Sequence, residues 1–163
     1  MRRWVVAVVG VVLLAAAVSS AGAANKQAEG RLNGSFEMSA VILSNDIGIP
    51  PGSSTIETYA FKSACGGKAA CAKVGLTRDR GGDNVKSTLR KTAPGTYKGT
   101  EGPEPYVCVN PIGTPGTYTG DHKVTVLKSK NGKATRVKDK LIIHIDGCTE
   151  TIEEVILKGK LLQ

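Results

Sequence analysis

The sequence predicts an all-β domain, an antiparallel meander of about eight strands with two disulfides, and three observations lead there. Glycine and proline punctuate the chain densely, with 20 Gly and 7 Pro in 163 residues, and no apolar run after the amino-terminal one suits a long helix. The segments between these breaks are rich in Val, Ile, Thr and Tyr, which fit a pleated, half-buried surface. All four cysteines, Cys65, Cys71, Cys108 and Cys148, lie beyond what reads as an export signal, where an even count implies two bridges.

Arg2 and Arg3 begin that signal, Trp4 to Val18 is an apolar run of 15 residues, and Ser19-Ser20 and Ala21-Gly22-Ala23-Ala24 follow. Charge, apolar stretch and small residues in this order form the pattern of a secretory signal peptide, cleaved after Ala23. The run falls short of the roughly 20 residues that cross a bilayer. The expectation is a signal peptide over 1–23 and one domain over 24–163, secreted or held at the cell envelope, with no transmembrane segment in the mature form.

Strands are expected over 31–43, 56–63, 71–78, 85–91, 96–108 with a break at Gly102-Pro103, 121–130, 133–146 and 149–162. The last segment also fits a helical period through Ile152, Val155 and Ile156, but the alternation of Val155 and Leu157 favours a strand. Asn131-Gly132 marks a two-residue hairpin turn, because both central positions need positive φ. Counting back from it sets Val126 against Val137 and Lys123 against Lys140. Val124, Val126, Val137, Leu141, Ile143 and Ile145 then share the buried face, and Lys123, Arg136, Lys138 and Lys140 the other. With Phe36, Met38, Tyr59, Phe61, Val74, Leu76 and Leu89, all of that face but Val124 makes up the expected core. Eight short strands in series suit either a closed up-and-down barrel or a two-sheet sandwich.

Cys65 and Cys71 flank a glycine-containing loop and are expected to pair, leaving Cys108 for Cys148. Loop-closure entropy values the short link at roughly 2.4 kcal/mol and the long one at roughly 3.9 kcal/mol. Pro94-Gly95-Thr96-Tyr97-Lys98-Gly99 recurs as Pro115-Gly116-Thr117-Tyr118-Thr119-Gly120. The repeat reads as a strand-entry device, or as two exposed tyrosines, Tyr97 and Tyr118, offering a platform to a sugar or lipid ring.

Chemistry finds little footing. His122 is placed in a turn, and His144 opposite to Leu141, Ile143 and Ile145. Asp121 and Asp146 lie near the two histidines, but no G-x-S-x-G supports a nucleophile and no catalytic set is expected. The cysteines lack C-x-x-C spacing, so no metal site and no cofactor is expected. Asp79, Asp83 and Asn84 read as a hairpin turn rather than a calcium loop. Asn33-Gly34-Ser35 is a glycosylation acceptor only in a eukaryotic host.

Charge is more telling. Loss of Arg2 and Arg3 leaves 20 of the 22 basic residues against 14 acids, near +6. The partners this favours are an anionic envelope polymer or lipid headgroups, whereas so few aromatics in an exported chain argue against nucleic acid. Lys123, Lys128, Lys130, Lys133, Arg136, Lys138 and Lys140 crowd one hairpin with Asp139 as its one acid. That hairpin is the candidate ligand-binding surface, through Lys123, Arg136, Lys138 and Lys140, weighed against lysines that merely guard a sheet edge.

Tyr59-Ala60-Phe61-Lys62-Ser63-Ala64-Cys65, then Cys71 and Val74-Gly75-Leu76-Thr77-Arg78, with the later Gly-Thr-Tyr and Cys108, carry a resemblance. Over residues 55–110 the chain resembles a loosely defined group of small secreted β proteins of actinobacteria. There an aromatic-x-Ser-x-Cys strand, a short cysteine loop and a strand ending in arginine recur, with tryptophan often at the position of Tyr59. The resemblance implies location and fold. The functional expectation is a non-enzymatic binding module for an anionic polymer, lipid or small ligand. The alternative is a secreted inhibitor using the Gly99–Pro105 or Asn110–Pro115 loop, and a hydrolase is least supported.

Overall fold

A computed structural model describes residues 28–46, 48–65, 71–82, 84–149 and 152–162. The expected signal peptide lies outside the described residues. Eight strands follow in chain order: β1 (Gly34–Asn45), β2 (Ser54–Ser63), β3 (Lys73–Asp79), β4 (Asn84–Ala93), β5 (Thr96–Val107), β6 (Pro115–Lys130), β7 (Lys133–Asp146) and β8 (Ile152–Leu161). Each pairs antiparallel with the next, and β8 returns to β1, so the sheet is a closed barrel. Closure removes both sheet edges, and it settles the choice between barrel and sandwich. The Asn131-Gly132 turn has φ of 51° and 70°. Its hairpin has the expected register, Lys130 opposite Lys133, Val126 opposite Val137 and Lys123 opposite Lys140.

Two segments differ from the sequence reading. β6 begins at Pro115 rather than near 121, because a 16-residue strand pairs with β5 from Pro115 to Thr125 and with β7 from Thr117 to Lys130. Gly99–Pro105 is not a loop: it runs within β5, with a bulge between Glu101 and Glu104 at the cis Gly102-Pro103 bond. Disulfides join Cys65 to Cys71 at the β2–β3 connection and Cys108 to Cys148 between the β5–β6 and β7–β8 connections, with Cα separations of 5.7 and 5.5 Å. Such bridges fit an oxidising compartment.

The barrel has two unlike ends. At one end Arg31 bridges to Lys133, and the neighbouring Leu32, fully buried, plugs the opening. Above the plug Phe36, Phe61, Val74, Leu89, Tyr97, Val124, Val137 and Leu157 fill the interior. Met38 lies so close to Gly159 that a Cβ there would stand 2.0 Å from its sulfur. The other end, reached by the β1–β2, β3–β4, β5–β6 and β7–β8 connections, opens to a cavity among the described residues, and charged side chains lie within it.

Candidate functional site

Two regions carry chemistry, one inside the barrel and one outside it. Alternation along the strands makes the inner one. His122 shares its face with Val124 and Val126, Asp139 with Val137 and Leu141, and Arg78 with Val74 and Leu76, so each charged side chain is carried into the interior. Arg78, Glu101, His122 and Asp139 are each at most 3% exposed.

These side chains form one chain of contacts. Asp139 Oδ2 lies 2.6 Å from His122 Nδ1, and Glu101 Oε2 lies 3.1 Å from His122 Nε2. Arg78 Nη1 is 3.0 Å from Glu101 Oε1, and its Nε is 3.5 Å from Glu57 Oε2. Tyr59 OH donates to Asp139 Oδ2 at 3.4 Å, and the Lys123 backbone N–H donates to Asp139 Oδ1 at 3.1 Å. Gly120 makes room for this arrangement: a Cβ there would stand 2.8 Å from Glu101 Cγ and Oε1.

Burial alone would drive His122 to its neutral form, but the flanking Asp139 and Glu101 carboxylates outweigh it and lift its pKa to about 9. At neutral pH the ring is an imidazolium donating from both nitrogens, with no lone pair free to act as a base. Burial pushes Glu101 up, but its hydrogen bond to His122 and the nearby Arg78 win and hold it below the ordinary range. Glu57 and Glu153 are instead raised by burial, which Arg78 and Arg80 only partly offset. The network is therefore built to hold charge in place, not to pass a proton at neutral pH.

Above it opens a cavity of about 250 Å³, walled by Ala40, Ile42, Leu141, Ile143 and Val155 and bearing Glu57, Arg78, Arg80 and Glu153. A side slot of about 440 Å³ shares Arg80 and Tyr106 with it.

The outer region is a row of cations. Lys73 pairs with Arg90, Arg90 with Lys98, Lys98 with Lys123 and Lys123 with Lys140, so five cations on β3 to β7 stand side by side. At 4.7–4.9 Å between strands the row extends about 19 Å around the waist of the barrel. Arg90, Lys98, Lys123 and Lys140 line an outer groove of about 640 Å³. Two acids lie beside the row and both are engaged: Glu154 pairs with Lys140 at 2.9 Å, and Asp121 accepts from Thr100 Oγ1 at 2.8 Å and faces His144 at 3.5 Å. Among the described residues, Lys73, Arg90, Lys98 and Lys123 have no ion-pair partner.

The expected binding residues divide between these regions. Lys123 and Lys140 belong to the row. Arg136 and Lys138 lie further along the same outer face of β7, opposite Lys160 and Lys158 of β8. Tyr97 and Tyr118 are not exposed: both point into the barrel, 1% and 5% accessible, so they form no outer platform. Arg80 instead stacks over Tyr118 at 5.2 Å. His122 is not in a turn but buried in β6, because that strand starts six residues earlier than expected. Arg78, Glu101 and Asp139 were missed as site residues, although each is a charge at core parity within a strand. No family model, curated protein or solved structure matches the chain.

Proposed function

We propose that the protein is an exported, non-enzymatic binding module that holds a linear anionic polymer of the cell envelope along its outer row of cations. The row itself carries this reading. Like charges directly opposite one another across strands are destabilising, and here four such pairs follow in succession. A polyanion lying in the groove would turn each repulsion into an attraction and would release the counterions that otherwise collect there.

The shape of the row favours a polymer over a lipid surface. It spans five of the eight strands of a closed barrel, so it curves around the waist, while a flat membrane would touch only part of it. A flexible chain can follow the curve. The guarded-edge reading loses its ground, since a closed barrel has no open edge to protect. The signal-like amino terminus, the two disulfides and the resemblance to small secreted β proteins point to the same setting.

The test is a salt series with long-chain polyphosphate and polygalacturonate, a phosphate and a carboxylate polymer, beside phosphatidylglycerol vesicles. Polymer binding should weaken steeply with salt, and the pair Lys98→Gln with Lys123→Gln should weaken it at least about tenfold and flatten the salt dependence by roughly two counterions. Absence of polymer binding at low salt would refute the proposal. Vesicle binding tighter than either polymer would replace it with a membrane role.

A further inference from the structure

We infer that the open end of the barrel is a second binding site, for a small molecule with a short apolar body and an uncharged head that both accepts and donates hydrogen bonds, as a primary carboxamide does. The site is independent of the outer row, which lies on the opposite face of the sheet.

The apolar requirement comes from the walls. Ala40, Ile42, Leu141, Ile143 and Val155 line the cavity, and Ile49 at its lip is 36% exposed. The same end of the barrel also exposes Val107 at 68%, the last residue of β5, and Ile112 at 89% on the β5–β6 connection. That connection is not loose, since the Cys108–Cys148 bridge fastens it to the β7–β8 connection. At about 250 Å³ the cavity takes a body of roughly eight water-sized groups, below the span of a drug-sized ligand.

The head group is set by the polar side chains that line the cavity beside these walls. Arg78, 99% buried, and Arg80 bring guanidinium donors to it, and Glu57 and Glu153 bring carboxylate acceptors. Donors and acceptors side by side present complementary needs, which a carboxamide meets with its C=O and N–H.

Charge decides against the two alternatives. Glu57 and Glu153 oppose Arg78 and Arg80 around the cavity, so the mouth is balanced. A ligand carboxylate would face Glu57 and Glu153, with Glu101 behind them. An ammonium would meet two guanidiniums. Either ion would also be desolvated in a narrow space where charges of both signs meet it. A neutral head avoids both costs.

Hexanamide, hexanoate and hexylamine share a body and differ in the head, and they separate these cases when titrated into the isotopically labelled exported protein at neutral pH. The amide should bind at least about tenfold more tightly than either ion and shift the amide resonances of Glu57, Arg78, Leu141 and Val155. Glu57→Leu should lose this binding and Glu57→Gln, which keeps an acceptor, should retain most of it. Val155→Phe, which fills the cavity with an apolar side chain, should also abolish it while the spectrum stays folded. Tighter binding of hexanoate or hexylamine, shifts confined to the outer groove, or no shift at all would overturn the inference. Since polyphosphate binding is measured separately, failure here leaves the outer-row reading standing, and the reverse holds too.

Discussion

The two halves of the barrel interior obey the same alternation of side chains and contain opposite chemistry. Towards the plugged end the inward positions of β1 to β8 are Phe, Leu, Val, Met and Tyr, with Ala134 on β7 and Gly159 on β8 making room for them, and the interior is filled. Towards the open end the same positions on β2, β3, β5, β6 and β7 hold Glu57, Arg78, Glu101, His122 and Asp139. One half supplies the hydrophobic driving force, and the other uses that rigid frame to hold charges that water would otherwise solvate. Buried ion pairs of this kind contribute little net stability, because desolvation offsets much of their attraction. The charged half is thus a cost that the apolar half makes bearable, which is the expected division between a scaffold and a site.

The strongest way to break the comparison is to put a charge in the apolar half. Val126→Asp sets an unpartnered carboxylate beside Val137, costing several kcal/mol against a total stability of similar size. The variant should fail to fold by circular dichroism. Asp139→Ala in the charged half should be less severe, destabilising by about 3–5 kcal/mol in denaturant titrations, because it leaves the His122 imidazolium with Glu101 as its remaining anionic partner. If it proves harmless, the network is not acting as a unit.

Titration of His122 sharpens the picture without mutation. Its folded pKa is raised from 6.5 to about 9, so its contribution is fully present below pH 6.5 and disappears as pH climbs through 9. On that basis stability should fall by on the order of 3 kcal/mol between those limits. His122→Gln should flatten this alkaline limb. The smallest effect belongs to the outer row: Lys98→Gln should leave stability within about 0.5 kcal/mol of the parent, or raise it slightly at low salt by relieving repulsion from Arg90 and Lys123. A marked loss would mean that the row is structural.

Much of the fold was legible in the sequence for local reasons. The Asn131-Gly132 turn demanded positive φ, and with a two-residue loop that alone set the β6–β7 register and the face shared by Val126, Val137, Leu141 and Ile143. Cys65 and Cys71, on either side of a glycine-containing loop, implied their own bridge and left Cys108 for Cys148. The outer cations Lys123 and Lys140 were legible as opposite partners for the same reason. The inner parity of His122 and Asp139 was also present in the sequence, but alternation says only that a side chain points inward, not what it will meet there.

Barrel closure decided the rest. It brought Arg78 of β3, Glu101 of β5, His122 of β6 and Asp139 of β7 into contact across the interior. It also aligned Lys73, Arg90 and Lys98 with the hairpin lysines. Both outcomes depend on the relative stagger of strands joined by turns less defined than Asn-Gly, and a stagger of one residue exchanges every inward side chain for an outward one. Local sequence therefore determined the strands, one hairpin and the bridges. Which charges share the interior, and which line the waist, was settled only when the sheet closed and one register satisfied all eight strands at once.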